Sequence, residues 1–218
     1  SHTMRWADRD VVLKNTDVLL SKIQKNPVLL LQFVKAAEEN MYGPRAEFFI
    51  DEVYVKYIDA LVKAKKVPDA RKERYKRQQR ILKNSMVGTI PPAFSFVTPA
   101  GTPETFRPGL LTLIEFGDPD CMDCRHAKLK MDTDLTFSGL VEKGKINVLF
   151  IIPDPDEGWE NSLKDYPRLW HTGASDEVSD IYDIRSTPYF YVVGTDGKTI
   201  LKTDNIESAM WKAVELVK

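Results

Sequence analysis

Cys121-Met122-Asp123-Cys124 constrains this chain more than any other feature. The only two cysteines in 218 residues stand three apart, between a strand pattern and a helix pattern. Ahead of them Leu110-Leu111-Thr112-Leu113-Ile114-Glu115-Phe116 is a short apolar run of the kind that forms a buried strand. Behind them Arg125-His126-Ala127-Lys128-Leu129-Lys130-Met131 collects good helix formers, with apolar residues spaced for one face. A CxxC at such a junction suits thiol chemistry. The free N–H groups and positive dipole end of a helix stabilise a thiolate, and the second thiol lies one turn away to close a disulfide. A disulfide that merely staples the helix start is one alternative, although so short a loop removes little chain entropy. A zinc or copper site is another, but outside the N-terminal remnant only His126 and His171 could complete it, so no metal is expected.

Composition sets wider limits. At 43% hydrophobic residues the chain can bury a core as one large domain or two small ones. No run approaches the roughly 20 apolar residues that span a bilayer. A net charge of −1 argues against nucleic acid as a partner. Ser1-His2-Thr3-Met4 reads as a cloning remnant, so a native export or lipoprotein signal is expected to have stood upstream.

The near-neutral total hides two opposite halves. Residues 1–87 hold 18 Lys and Arg against 11 Asp and Glu, whereas residues 88–218 hold 13 against 21. The basic excess concentrates between Lys63 and Lys83, where it reads as a solvated helix face. Docking on the acidic half or on an anionic surface are the other readings.

Periodicity changes where the charge does. From Asp8 to Met86 the pattern is helical throughout. A first helix runs to Lys25, and Asn26-Pro27 provides a cap and an N1 proline for a second. Gly43-Pro44 ends that one, and a third follows with Phe49, Val53, Tyr57 and Leu61 on its apolar stripe. Pro68-Asp69 opens a fourth. These stripes are core positions, and no catalytic constellation lies among them. A domain over residues 5–86 is therefore expected, followed by one over 87–218.

The second domain begins with a connector, 87–108, rich in proline and glycine and carrying a short strand at Ala93–Val97. Ile146–Ile152 is a second buried strand, joined to the first through helical material and so expected to run parallel to it. Residues 153–175 read as an irregular insert with Trp159 and Trp170, and Asp176–Ile184 as a short helix. Tyr189–Val193 and Lys198–Leu201 form a hairpin across Gly194-Thr195-Asp196-Gly197. Asn205 caps a final helix. Trp159, Trp170 and Tyr182 are expected to pack rather than to form a binding platform.

Strand, CxxC, helix, strand, then Thr187-Pro188 before a hairpin and a last helix is similar to the thioredoxin fold. With the connector and the insert, residues 87–218 resemble the extracytoplasmic thioredoxin-like thiol–disulfide oxidoreductases. The helical front half looks like a domain that precedes such modules in cell-envelope proteins of gut bacteria. The implied fold class is an α/β thioredoxin-like domain, a central mixed sheet flanked by helices, behind an all-α domain. The resemblance implies that Cys121 attacks a protein disulfide and Cys124 resolves the mixed disulfide. It also implies that Glu115 takes the Cys124 proton, and that a cis Pro188 presents the Thr187 backbone to an extended substrate. Protein thiols and an upstream electron donor are the implied partners, no cofactor is required, and a periplasmic or otherwise extracytoplasmic site, with lipid or membrane tethering, is the implied location. The competing reading is a redox-silent binding module with a structural 121–124 disulfide.

The chain departs from the family around the first cysteine. Asp120 stands where a tryptophan is usual, Met122-Asp123 where Gly-Pro is usual, and Gly117-Asp118-Pro119 replaces a bulky approach. Asp118, Asp120 and Asp123 oppose a nearby thiolate by like-charge repulsion, whereas the helix terminus favours it. His126 and Arg125 would offset the carboxylates by folding back. The expected outcome is a tuned potential, on the reducing side.

Overall fold

Capping chemistry sets the helices of the N-terminal unit. In the computed structural model, which describes residues 8–43 and 50–217, the Asp8 carboxylate accepts the N–H groups of Asp10 and Val11 and starts α1 (Arg9–Ile23). Asn26 does the same for α2 (Pro27–Met41), with Pro27 in the first turn. The apolar stripe of α3 (Asp51–Lys63) buries Val53, Tyr54, Tyr57, Ile58 and Leu61. Pro44 and Phe49 lie outside the described residues.

The basic run forms α4 (Asp69–Ser85). Several of its charges find partners within the same unit. Arg74 pairs with Glu38 at 2.5 Å, Lys83 with Asp59 at 2.7 Å and Lys76 with Glu73 at 2.8 Å. Glu38 also accepts hydrogen bonds from Tyr75 and Gln78, so one α2 carboxylate ties down three side chains of α4. The chain divides into two compact units, Ser1–Lys83 and Asn84–Lys218.

The second unit is built on a seven-stranded sheet in the order β2-β1-β5-β4-β3-β6-β7. Its strands are β1 (Phe94–Val97), β2 (Pro103–Phe106), β3 (Thr112–Phe116), β4 (Asn147–Ile152), β5 (His171–Ala174), β6 (Tyr189–Val193) and β7 (Thr199–Thr203). β3 and β4 run parallel, as a helical crossover requires, and β3 pairs antiparallel with β6. β3 and β6 are buried at every position, the signature of strands covered on both faces. The crossover consists of α5 (Met122–Thr133) and α6 (Leu135–Glu142), separated where Asp134 ends one and caps the other. The one-turn α7 (Val178–Ile181) and α8 (Ile206–Val217) complete the unit, and Asn205 accepts the Ser208 N–H at the start of α8.

Alternation along the strands splits the core. Leu113, Val148, Phe190 and Val192 face the helices and pack with Met131, Phe137, Ala209 and Met210. Ile114, Phe116, Tyr189 and Tyr191 face the other way into an aromatic layer with Phe94, Phe96 and Tyr182. Glu115 shares the parity of Leu113, so this strand necessarily points a carboxyl group toward the face that α5 covers.

Two expectations need correction. The segment read as irregular ends in β5, which pairs parallel with β4, His171 opposite Leu149 and Ala174 opposite Ile152. Its sequence, His-Thr-Gly-Ala, has neither alternation nor strong strand formers, and the pairing comes from the neighbours on either side. The strand ahead of the cysteines is also shorter than its apolar run, because Leu110 is exposed and β3 starts at Thr112.

Candidate active site

The end of β3 and the start of α5 bring the chemistry together. Cys121 caps α5, and the Arg125 N–H donates to its carbonyl at 3.1 Å. Its side chain is partly exposed and the Cys124 side chain is buried, both as free thiols. One turn of helix explains the difference: position 121 faces out at the mouth, and position 124 points back at the sheet.

The Cys121 thiol meets the Thr187 carbonyl oxygen at 3.6 Å. Thr187 is exposed, Pro188 is buried, and the peptide between them is cis. The chain just before them is pinned by buried Asp183, whose carboxylate takes ion pairs from Arg185 at 2.6 Å and from Lys202. The Tyr191 hydroxyl donates to the Asp183 carbonyl at 2.9 Å. The braced segment ahead of β6, a strand inside the sheet, thus carries Thr187 to the sulfur.

Behind the exposed sulfur the surroundings turn apolar. The Asp118 N–H donates to Cys124 Sγ at 3.4 Å. Burial nonetheless pushes the Cys124 thiol well above its ordinary range, and the Glu115 carboxyl adds to the shift. Glu115 is fully buried, not at a solvent-facing strand end, and neither of its oxygens has a hydrogen-bond partner in the protein. Burial, with the nearby Cys121 sulfur second, raises its pKa far above the usual carboxylate range. Two groups with raised pKa values therefore lie behind a third, Cys121, that reaches solvent.

The acidic residues take different places. Asp120 pairs with Arg125 at 3.1 Å, and Arg125 also donates to the Pro119 carbonyl at 2.9 Å. Arg125 is thus the side chain that folds back. Asp118 accepts the Asp120 N–H at 2.8 Å and shapes the loop. His126 turns to the opposite side, where it lines a cavity of about 420 Å³ with Asp123, Pro188, Asp204 and Glu207. A second cavity of about 360 Å³ runs from Gly117, Asp118 and Asp120 to Asp154, Trp159 and Thr187. Trp170 and Tyr182 are core residues, and Trp159 packs against the cluster of Phe150, Ile152, Leu163 and Ala174 while also lining this groove. His171 sits 3.6 Å from Glu104 on a separate part of the sheet.

Sequence reasoning missed Tyr166. Its ring packs against Phe150 at a tilt of 45° with centroids 4.6 Å apart, the Lys128 ammonium lies 4.5 Å from its centre, and burial followed by the Glu115 charge raises its pKa. Only proximity in space marks it, since it belongs to the insert.

Residues 2–85 match the family described as Domain of unknown function (DUF5106). No curated protein matches the chain significantly. Among solved structures, a thioredoxin-like protein from Bacteroides caccae aligns with a TM-score of 0.80 at 17% identity, covering 94% of this chain and 77% of that one. A conserved protein of unknown function from Bacteroides fragilis aligns at 28% identity and a TM-score of 0.54, over 59% of this chain and 98% of that one. The thioredoxin domain of a thiol-disulfide oxidoreductase from Bacteroides vulgatus aligns at 21% and 0.50, over 59% and 95%. The C-terminal unit of this chain therefore has the thioredoxin-like fold, preceded by helices that match the DUF5106 family.

Proposed function

We propose that the protein is a thiol–disulfide oxidoreductase that acts on protein disulfides through Cys121 and Cys124. The observation that carries this reading is the contrast within the pair: Cys121 partly exposed at a helix N-terminus against the Thr187 carbonyl, Cys124 buried beside a buried acid. Cys121 as thiolate attacks a substrate disulfide and forms a mixed disulfide. Cys124 then attacks Cys121, releasing the substrate thiol, with Glu115 accepting the Cys124 proton. The exposed Thr187 backbone pairs with an extended substrate segment in strand fashion, and buried Pro188 supports it. Electrons come from an upstream donor that reduces the 121–124 disulfide. We place the protein outside the cytoplasm, as the resemblance implies.

The test is reduction of insulin disulfides by the dithiol protein. Activity is expected to vanish in Cys121→Ser, and Cys124→Ser is expected to accumulate a mixed disulfide. A wild-type protein without activity, or a Cys121→Ser protein that retains it, defeats the reading in favour of a redox-silent binding module.

The carboxylates around Cys121 give the reaction a direction. Negative charge at Asp118, Asp120 and Asp123 disfavours a thiolate beside it and hence the reduced pair, so the protein serves as a reductant. Arg125 offsets part of this at Asp120. The double variant Asp120→Asn/Asp123→Asn is expected to equilibrate with glutathione at a more oxidising potential than wild type. An unchanged or more reducing potential contradicts the argument.

A further inference from the structure

Thr187 lines two cavities, and the one of about 360 Å³ has strikingly one-sided chemistry only in its charge. Its walls include Asp118, Asp120, Asp154, Asp156 and Glu157 and, among the described residues, no Lys, Arg or His. Asp154, Asp156 and Glu157 are exposed and pair with no Lys or Arg among the described residues. Elsewhere in this unit Asp196 and Glu215 each hold a lysine. Acidity alone marks no site, but two further features do. Trp159 forms an aromatic wall of the same groove, its body anchored on the cluster of Phe150 and Ile152. The groove also reaches Thr187, whose carbonyl meets Cys121 Sγ at 3.6 Å. Among the described residues no three His, Cys, Asp or Glu side chains converge as a metal site requires, so the carboxylates are strung along the groove instead of gathered at a point.

We infer that this groove receives Lys or Arg side chains, so that the protein prefers disulfides whose cysteine is flanked by basic residues. The inference deepens the exchange reading and rests on it. Carboxylates beside an aromatic face match both parts of such a side chain. The ammonium or guanidinium meets the carboxylates or lies over the ring, and the alkyl stem covers indole carbon. A segment extended along Thr187 advances about 3.3 Å per residue, which brings residues a few positions from its cysteine over the groove. Asp118 and Asp120 belong both to the groove and to the loop before Cys121. A cation seated beside them offsets the repulsion they exert on the Cys121 thiolate, so the preferred substrate also favours the attacking form of the sulfur. The exchange itself is unchanged. The dithiol gives two electrons to the substrate disulfide, the Cys121–Cys124 bond forms, the substrate S–S bond breaks, and the two thiol protons end on the substrate.

Three peptides with blocked ends test this, each a disulfide-linked dimer of one sequence in which the cysteine is flanked on both sides by Lys, by Gln or by Glu. The fully reduced protein is mixed with each, quenched with acid, and the released peptide thiol is read by chromatography. The Lys peptide is expected to react on the order of tenfold faster than the Glu peptide, with the Gln peptide between them. The groove variant Asp154→Asn/Asp156→Asn/Glu157→Gln is expected to bring that ratio close to one. A control variant, Asp132→Asn/Glu142→Gln/Asp176→Asn, removes the same charge from exposed positions outside both cavities and is expected to keep the ratio. Equal rates for the three peptides in wild type, a ratio that survives in the groove variant, or one that falls equally in the control overturns the inference and leaves the exchange reading intact. If wild type reduces neither these peptides nor insulin, the exchange reading itself has failed, and this inference with it.

Discussion

At the residue scale, two neighbouring thiols differ because one turn of helix places one at the surface and the other against the sheet. Cys124 is fully buried and its thiol is held neutral by its surroundings. Iodoacetamide is therefore expected to label Cys121 faster, by something on the order of tenfold or more, as read by peptide mass after short exposures. Equal labelling contradicts the assigned order of attack. Glu115 makes a second prediction through linkage. Its folded-state pKa is raised, so folding disfavours its charged form. Below the unfolded value of about 4 the group is neutral in both states and costs nothing. As pH rises past that value, the unfolded chain ionises while the folded one resists, and stability falls until the folded pKa is passed. Melting curves of Glu115→Gln against wild type are expected to show the variant gaining relative stability from pH 4 to pH 8. A difference that does not vary with pH would show that the acid is not buried.

At the element scale, the sheet was legible wherever one strand carried its own pattern. The continuous apolar runs at β3, β4 and β6 announced double-sided burial, and the Gly194–Gly197 turn announced the hairpin. Asn26 and Asn205 announced their helices because capping is a local event. β5 announced nothing. His171-Thr172-Gly173-Ala174 is a strand because β4 and β1 flank it, and its glycine is the clearest trace of that crowding. A Cβ at Gly173 would lie 2.4 Å from the Val97 carbonyl oxygen and 2.6 Å from Phe96 Cδ2. Gly173→Ala is expected to cost about 1–3 kcal/mol in urea unfolding, with β1 pushed off the sheet. A cost below about 0.5 kcal/mol would mean that the contact relaxes freely. The candidate site divides along the same line. The cysteines, Glu115 and the Thr-Pro were legible because each falls at a marked junction or matches a family motif. The contact of Tyr166 with Phe150 and the Trp159 side of the groove were not, because residues distant in sequence create them.

At the scale of the whole molecule, the charge division in the sequence persists in two units of different construction, one all helical and one built on a sheet. Much of the basic helix is satisfied inside its own unit, so the excess there does not require an external anion; exposed pairs of this kind each contribute little to stability. The sheet ends in two short edges. β2 starts with Pro103, which has no N–H to offer, and is exposed over its first three residues. On the far side, the Gly88 N–H and Thr89 carbonyl bind the backbone of Thr199 and cover the start of β7. A bare strand at a sheet border is a template to which segments of other chains can add themselves. With one border blunted and the other begun under cover, the sheet offers passing segments little bare backbone at either side, and such contacts are kept from growing into an aggregate.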